Sequence, residues 1–219
     1  MKKGEENKKM AQVSEFAKKI HWLGHDSFRI DASKVIYFDP FQISKGIKAD
    51  IVLVSHEHFD HCSPEDIAKI QTSNTVIITE KDSASKLQGN IQIVKPGDLV
   101  EIEDIKIKAI PAYNVGKDFH PKTKGWLGFI VEVDGIKIYH AGDTDFIPEM
   151  ENIDVDIALL PVSGVYVMTY SQAVKAAKTI KPKIAIPMHY GSIVGDERDA
   201  LNFQKALKGT VDVLILEKE

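Results

Sequence analysis

Residues 55–62 read Ser-His-Glu-His-Phe-Asp-His-Cys and hold three of the eight histidines of the chain together with an aspartate. The preceding residues, Ile51–Val54, form an unbroken apolar run that predicts a buried strand. After the stretch, Ser63 suits a helix N-cap and Pro64 suits the first helical position. The stretch is therefore predicted to lie on a loop between a strand end and a helix start, where open α/β sheets bind ligands.

The spacing within this loop indicates a metal site. His56 and His58 are two residues apart, so in extended backbone their side chains project to the same side. Asp60 and His61 follow as the chain turns toward the helix. Imidazole and carboxylate suit zinc, whose bonds run about 2.0–2.2 Å and whose ions take about four ligands. A solvated polar loop is the alternative, but four potential ligands within six residues favour one ion, or two ions that share them.

The HxHxDH pattern of this loop resembles the signature of the metallo-β-lactamase superfamily of metal-dependent hydrolases. The resemblance implies an α/β (α+β) fold, a four-layer αββα sandwich of two mixed sheets with helices on the outer faces. It also implies two more ligands: Asp143, in a Gly-Asp-Thr motif after a strand, bridges two metals, and His189, after a later strand, is the last histidine ligand. One or two Zn²⁺ ions are expected, with Mn²⁺ or Fe²⁺ as alternatives.

Three further residues are assigned supporting or catalytic roles. Asp39 ends an early strand and matches the family aspartate that orients the ligand loop without binding metal. His25 lies in a Gly-His-Asp-Ser-Phe segment that resembles the L-ascorbate-6-phosphate lactonase-like branch, although a structural turn histidine is an equal alternative. Asp60 is expected to be both a ligand and the acceptor of the nucleophile's proton. Tyr190 or His25 is expected to stabilise the oxyanion or protonate the leaving group.

The third motif departs from the family pattern. Many members carry a histidine ligand after the strand that here ends near Ile110, but this chain has Pro-Ala-Tyr-Asn at residues 111–114. Asn114 is a poor zinc ligand, but it is kept with His120, the next histidine, as a possible ligand or substrate contact. Either His120 folds back as a ligand or substrate contact, or the first site is incomplete and one ion is held mainly by the later ligands.

The remaining elements follow from apolar runs and alternation. Residues 91–110 are expected to form antiparallel strands, and Asp134-Gly135 to close a hairpin. Residues 114–125 are expected to form a loop over a pocket. Strands are predicted at residues 19–23, 27–30, 35–38, 75–79, 91–94, 99–102, 105–110, 126–133, 136–140, 155–160, 184–187 and 211–216, and helices at residues 80–87, 171–180 and 197–207.

Length and composition favour one domain. The chain has 219 residues, of which 27% are charged and 43% hydrophobic, an ordinary globular composition. We expect residues 1–18 to form a polar N-terminal extension, with a short amphipathic turn near Ala11 to Ala17, and residues 19–219 to form a single hydrolase domain. No apolar run suggests a membrane span or a secretory signal. Cys62 is the single cysteine, which favours a reducing cytoplasm and a packing role for that thiol.

These patterns together predict a metal-dependent hydrolase that uses a metal-bound hydroxide on a small, anionic ester, lactone or phosphodiester. Three lysines in the loop at residues 114–125, namely Lys117, Lys122 and Lys124, could meet an anionic group, although a solvated loop is an equal alternative. A net charge of −4 disfavours a nucleic-acid partner. A nuclease or phosphodiesterase of the same fold, a diiron enzyme and a non-catalytic metal-binding protein are the rivals, and a homo-oligomer stays open.

Overall fold

Two mixed β-sheets pack face to face in the computed structural model, which describes residues 2–219. The strands of the first sheet, β1 to β6, are Ile20–Gly24, Ser27–Asp31, Val35–Phe38, Ile51–Val54, Val76–Thr79 and Asn90–Ile93. They lie side by side in chain order. The first three strands pair antiparallel, and β3 to β6 pair parallel.

The second sheet has seven strands, also in sequential order. Strands β7 to β13 are Leu99–Ile102, Ile105–Pro111, Leu127–Val133, Ile136–His140, Ile157–Pro161, Ile184–Met188 and Asp212–Val213. Strands β7 to β10 are antiparallel, and β10 to β13 are parallel. Asp134 and Gly135 both have positive φ, 51° and 74°, as the predicted tight hairpin between β9 and β10 requires.

Helices cover the outer faces, which confirms the predicted αββα sandwich. The helices α1 to α5 are Lys2–Ala17, Pro64–Ile70, Lys81–Ala84, Tyr170–Ile180 and Glu197–Leu207. Along β4, Ile51 and Leu53 belong to the core between the sheets, whereas Val52 and Val54 pack with Ile67 of α2 in a second apolar cluster. Such alternation follows from the two-residue period of a strand. On the other side, α4 and α5 contact each other, α4 contacts β11 and α5 contacts β12.

The N-terminal segment is more ordered than the sequence suggests. Instead of a short turn near Ala11 to Ala17, one helix runs from Lys2 to Ala17. Val13, Phe16 and Ala17 are buried in the main core, at the i, i+3, i+4 spacing of one helix face. Most of the other residues of the helix are polar, so this narrow stripe is a weak signal in the sequence.

Three other predicted elements differ from the structure. The strand β6 is not part of an antiparallel hairpin with β7, because it pairs parallel with β5 in the other sheet. The helix that begins after Glu80 ends at Ala84 and continues as tighter i to i−3 turns. The last strand, β13, is limited to residues 212–213, where it pairs with the start of β12. Alternation of apolar residues cannot distinguish these partners or lengths.

The same edge of the sandwich collects the ends of several strands. Strands β3 and β4 are parallel neighbours, and so are β10, β11 and β12, so each set releases its loops at one edge of its sheet. The loops that follow β3, β4, β10 and β12 contain Asp39, residues 55–62, Asp143 and His189. Over the described residues, 2–219, no helix has the length and apolar character needed to cross a membrane.

Candidate metal centre

The structure gathers two groups of potential ligands at this edge. In each group every member offers a ligand atom that lies within 4.8 Å of those of the other members. One group consists of His56, His58 and His120. The other group contains His61, Asp143 and His189 together with Asp26, and His25 joins His61 and His189 in an overlapping set. Ligand atoms at such distances can share one ion or two neighbouring ions.

The first group is built from two loops. His56 Nε2 lies 3.0 Å from His58 Nδ1, and the His120 ring centroid lies 5.2 Å from that of His58. The indole of Trp126 packs against His56 and His58, with ring centroids 4.8 Å and 4.7 Å away. The apolar wall that Trp126 provides limits the orientations of both imidazoles.

Asp143 connects the two groups. Its Oδ2 lies 3.2 Å from His120 Nε2 and 3.3 Å from His189 Nε2, while its Oδ1 lies 3.4 Å from His61 Nε2. The Asp60 carboxylate also approaches His61, since Asp60 Oδ2 lies 3.7 Å from His61 Nε2. A carboxylate between two sets of imidazoles has the arrangement that a bridging ligand needs.

Several buried polar atoms at this centre lack hydrogen bonds. Within residues 2–219, His61 Nε2, His120 Nε2 and Asp143 Oδ1 are buried and have no hydrogen-bond partner. A buried polar atom without a partner costs about 1–3 kcal/mol. Imidazole nitrogens and carboxylate oxygens that converge on one place are the donor set of a divalent metal. The residues present therefore fit a metal ion.

Hydrogen bonds behind the imidazoles fix their orientation. Asp39 Oδ2 accepts from Ser55 Oγ at 2.6 Å and from His61 Nδ1 at 2.8 Å, and Asp39 Oδ1 accepts from the Ser55 amide at 2.7 Å. Ser55 Oγ in turn lies 2.9 Å from His56 Nδ1, and Ser163 Oγ lies 2.9 Å from His189 Nδ1. With Nδ1 engaged in this way, Nε2 is the nitrogen left to face a metal.

His120 folds back from its loop to the centre, and Asn114 holds it there. Asn114 Oδ1 accepts from the His120 amide at 3.1 Å and lies 3.0 Å from His120 Nδ1. The side-chain amide of Asn114 donates from Nδ2 to the Tyr166 carbonyl oxygen at 2.7 Å, which fixes the orientation of the Asn114 side chain. Asn114 is thus a support for His120. Its pairing with a histidine six residues later is not visible in the sequence.

The turn between β1 and β2 contributes two more buried groups. His25 Nε2 lies 3.1 Å from Asp60 Oδ2, and the His25 and His189 ring centroids are 4.1 Å apart. Asp26 is fully buried, neither of its oxygens has a hydrogen bond within residues 2–219, and one oxygen lies 4.0 Å from His61 Nδ1. The sequence interpretation missed Asp26, because an aspartate in a Gly-His-Asp turn is ordinarily a turn former.

Tyr190 packs beside Trp22, and its assigned catalytic role stays a prediction. Its ring stacks on Trp22 with centroids 4.8 Å apart, and it lines a cleft with Glu197 and Leu214. Within residues 2–219 no hydrogen bond joins its hydroxyl to the metal centre, and burial raises its pKa to about 12. Tyr190 follows His189 directly, but the chain turns there and directs the two side chains to different surroundings.

The backbone is strained at three of these positions. His25, Asp39 and His189 have φ values of 53°, 40° and 61°, in the left-handed region that non-glycine residues adopt infrequently. Such conformations cost of order 1–3 kcal/mol each and concentrate at functional sites. The turns they form direct the side chains inward at the ends of strands.

Burial and the neighbouring carboxylates together set the pKa values of the histidines. It lowers the pKa of His56 well below the usual value and also lowers that of His58, so both imidazoles are neutral at pH 7. For His61, burial would lower the pKa, but the carboxylates of Asp143 and Asp39 raise it well above the usual value. Because a metal binds the neutral ring, an ion held by His61 would displace a proton.

The carboxylates of Asp143 and Asp60 are ionised, whereas burial raises the pKa of Asp26 well above its usual value. Burial would raise the pKa of Asp143, but the His189 and His61 imidazoles hold it well below its usual value. Burial would likewise raise the pKa of Asp60, and the hydrogen bond with His25 together with the charge of His61 lowers it. Ionised carboxylates beside imidazoles are the forms that bind a divalent cation.

Two further residues near the centre, His140 and Cys62, have packing roles. His140 is buried, its Nε2 lies 2.8 Å from the Asp26 carbonyl oxygen, and its ring stacks on Phe38. Cys62 is buried, and burial raises the pKa of its thiol to about 11. A neutral thiol of this kind is a small apolar group rather than a metal ligand.

The lysines of the loop at residues 114–125 are all paired. Lys117 contacts Asp145, Lys122 Nζ lies 2.8 Å from Glu149, and Lys124 Nζ lies 2.9 Å from Glu57. These pairs attach the loop to neighbouring segments and neutralise its positive charges. The loop therefore presents little excess positive charge to a substrate.

This chain is similar to known proteins over most of its length. A family model, the beta-lactamase superfamily domain, matches residues 19–189. A UPF0173 metal-dependent hydrolase of Thermoplasma acidophilum is 37% identical over 92% of this chain and 95% of the relative, and one of Thermococcus onnurineus is 33% identical over 91% and 96%.

Solved structures of similar proteins have the same fold. The crystal structure of a Parabacteroides distasonis protein superposes with a TM-score of 0.81 at 39% identity, covering 91% of this chain and 93% of that one. Igni18, a metallo hydrolase from Ignicoccus hospitalis, superposes with a TM-score of 0.76 at 25% identity, covering 91% and 94%. The narrower resemblance to a lactonase-like branch stays a prediction.

Proposed function

The chain belongs to the UPF0173 family of metal-dependent hydrolases in the metallo-β-lactamase superfamily, and we propose that it hydrolyses a small ester, lactone or phosphodiester at the centre around Asp143. The single observation that carries this proposal is the convergence of buried, hydrogen-bond-free Nε2 and carboxylate atoms on one place. Such a centre is open rather than closed by four cysteines, which is typical of catalytic and not structural zinc sites.

We assign the ligands to two sub-sites that share Asp143. His56, His58 and His120 would hold one ion, and Asp60, His61 and His189 would hold the second. His120 takes the place of the third-motif histidine that the sequence lacks at residue 114. Zinc is the proposed metal, with manganese or iron as alternatives. Asp39 and Asn114 act through the imidazoles that they orient.

A divalent metal, when bound, lowers the pKa of a water that it holds and polarises the substrate oxygen. Asp60 is ionised and half-buried, so it can accept the proton of the attacking water and pass it to the leaving oxygen. His25, whose pKa burial lowers, is neutral and donates from Nε2 to Asp60 Oδ2. That hydrogen bond holds the Asp60 carboxylate in place during the transfer.

A small substrate suits this centre better than a polymer. The loop at residues 114–125 folds over the centre and brings His120 into it, and its lysines are engaged in ion pairs. A net charge of −4 also works against a nucleic-acid substrate. The lone, buried Cys62 agrees with a reducing cytoplasm, which we keep as part of the proposal.

Metal analysis with a substrate panel tests the proposal. The purified protein is expected to contain close to one or two equivalents of divalent metal, measured by plasma mass spectrometry. It should hydrolyse at least one member of a panel of aryl esters, lactones and aryl phosphodiesters, and lose that activity after chelation. Activity that persists in verified metal-free protein would overturn the proposed mechanism.

Asp60→Asn is the sharper test. The substitution keeps the shape of the side chain but removes the proton acceptor and weakens a ligand, so kcat should fall at least ~100-fold, the low end of a general-base contribution. Asp104→Asn, at the exposed turn between β7 and β8, is the matched control and should leave kcat unchanged. Wild-type rates in Asp60→Asn protein with full metal content would exclude Asp60 as the base.

A further inference from the structure

Exposed apolar side chains are concentrated on the loops that carry the metal centre. Among the described residues, eleven large apolar side chains are exposed, although such groups ordinarily lie scattered. Six of the eleven lie on the four loops at residues 57–60, 114–120, 163–166 and 190–195. We name this set the apolar rim, and its members are Phe59, Val115, Phe119, Val165, Tyr166 and Ile193.

Two exposed aromatic members, Phe59 and Phe119, lie directly beside residues of the centre in the chain. Phe59 is 69% exposed and lies between His58 and Asp60 in the chain. Phe119 is 54% exposed and precedes His120. His58 and Asp60 are the half-buried members of the centre, whereas His120 is buried, so solvent reaches the centre beside Phe59.

Contacts join the four loops into one surface. The Phe119 and Tyr166 rings pack edge to face with centroids 4.5 Å apart. The Tyr166 carbonyl oxygen accepts a hydrogen bond from the Asn114 side chain, which joins the loops that contain these two residues. The ion pair of Lys124 with Glu57 joins the loop at residues 114–125 to the loop that carries Phe59. The loop that holds Ile193 lies against the loop of residues 163–166, because a Cβ at Gly195 would meet Ser163 Cβ at 2.6 Å.

Backbone strain also marks the rim. Tyr166 has a φ of 69°, a conformation that is unfavourable for a bulky side chain. This strain places an aromatic ring at the surface while the carbonyl of the same residue supports His120, with Tyr166 O 3.2 Å from His120 Nδ1. One strained residue thus belongs to both the rim and the support of the centre.

We propose that the apolar rim binds the aliphatic or aromatic part of the substrate, so that the enzyme prefers esters with an apolar acyl or alkyl chain. This inference rests on the proposed hydrolase function and deepens it. It replaces the anionic substrate that the lysines suggested, because Lys117, Lys122 and Lys124 are all neutralised by acidic partners. A protein partner seated on the rim would cover the approach beside Phe59, so a small ligand is the occupant that the position favours.

The expected gain in binding affinity per methylene follows from how much of that methylene the rim buries. A methylene that lies on the rim is buried on one side and stays exposed to solvent on the other. Full burial of a methylene strengthens binding about four-fold, and burial on one side should give about two-fold. From acetate to octanoate, six methylenes should therefore strengthen binding by roughly 60-fold in the wild-type protein.

Calorimetric titration of the metal-loaded protein with linear carboxylates from acetate to octanoate measures this binding without any turnover. Phe59→Ala, Phe119→Ala and Ile193→Ser should each reduce the ratio of octanoate to acetate affinity by about three-fold or more. Leu201→Ala removes an equally exposed side chain on α5 and should leave the ratio unchanged. Metal content and circular dichroism of each variant separate loss of chain binding from loss of metal or fold.

The same variants are then assayed with p-nitrophenyl esters from acetate to octanoate, where kcat/KM should rise with chain length only in proteins with an intact rim. Octanoate that binds no tighter than acetate overturns the inference whether or not esters are hydrolysed. Chain-length dependence that all three rim variants retain overturns it as well. Tight octanoate binding without hydrolysis of any substrate class would support the rim and reject the proposed function. A dimer in light scattering that Phe119→Ala dissociates, with no chain-length dependence, would make the rim an interface between copies.

Discussion

Asp143 shows how one residue can organise a site. It follows β10 by three residues, and its two oxygens reach His61, His120 and His189, which come from three different loops. A single ionised carboxylate thereby lowers the electrostatic cost of burying several imidazoles together. Its neighbour Gly142 has a φ of 61°, and a Cβ there would lie 2.5 Å from the Leu127 carbonyl oxygen. The Gly-Asp pair is therefore needed for close approach of the chain as well as for chemistry.

Asn114→Ala should weaken metal binding. The change removes the acceptor that orients His120 Nδ1, and loss of such a support typically costs 10–100-fold in metal affinity. Competition with a chromophoric chelator measures that affinity. Asn114→Asp keeps an acceptor oxygen and should recover part of the loss, and Asn202→Ala on the exposed face of α5 should have no effect. Equal affinities for Asn114→Ala and wild type would exclude this supporting role.

At the scale of elements, α1 shows what a narrow apolar stripe can do. Three buried residues, Val13, Phe16 and Ala17, attach a largely polar helix to the main core. The helix is also fastened by Lys9, whose Nζ lies 2.9 Å from the Gly135 carbonyl oxygen at the β9–β10 hairpin. Tertiary packing rather than helix propensity accounts for the stability of such a segment.

Phe16→Ala should destabilise the protein by about 3 kcal/mol, because it removes a buried ring and leaves a cavity. The loss should be visible as a lower midpoint in urea denaturation of the metal-free protein. Gln12→Ala, on the exposed side of the same helix, serves as the control and should change stability by less than about 0.5 kcal/mol. If Phe16→Ala unfolds at the wild-type midpoint, α1 is not part of the cooperative unit.

At the scale of the whole molecule, Asp156 connects distant parts of the fold. Its Oδ2 lies 3.0 Å from Lys9 Nζ of α1 and accepts from the Lys137 amide of β10 at 3.1 Å, and Lys183 Nζ, just before β12, lies 3.4 Å from Oδ1. Burial would raise the pKa of Asp156, but these donors lower it below its usual value, and Lys9 has the largest effect among them. The ionised form therefore stabilises the folded state.

The sign of the pH dependence follows from that lowered pKa. The contribution of Asp156 is fully present above the pKa of an unfolded aspartate, about 3.9, and is lost as the pH falls through the lower folded value. Asp156→Asn should cost about 1 kcal/mol at pH 7, and the difference from wild type should shrink below pH 4. Urea denaturation at pH 3 to 7 measures this. Asp154→Asn, which removes a 93% exposed carboxylate, should change stability by less than about 0.5 kcal/mol at any pH; a larger effect than that of Asp156→Asn would contradict the argument.

Local sequence alone determined much of this protein. The apolar run Ile51–Val54, the Ser63 cap and the Asp134-Gly135 turn are short-range signals, because strand period, capping and hairpin turns depend on residues within a few positions of each other. The residue types and spacing of the cluster at residues 55–61 predicted metal binding. The metal-ligand roles of these residues remain proposals.

Only the tertiary structure decided which distant residues join that cluster. His120 reaches it because a loop folds back and Asn114 holds its Nδ1, and Asp26 reaches it because the β1–β2 turn is buried against His61. The pairing of β6 with β5 and the burial of α1 likewise depend on partners far along the chain. Periodicity reports which face of an element is apolar, whereas the identity of what covers that face is fixed by the packing of the whole chain.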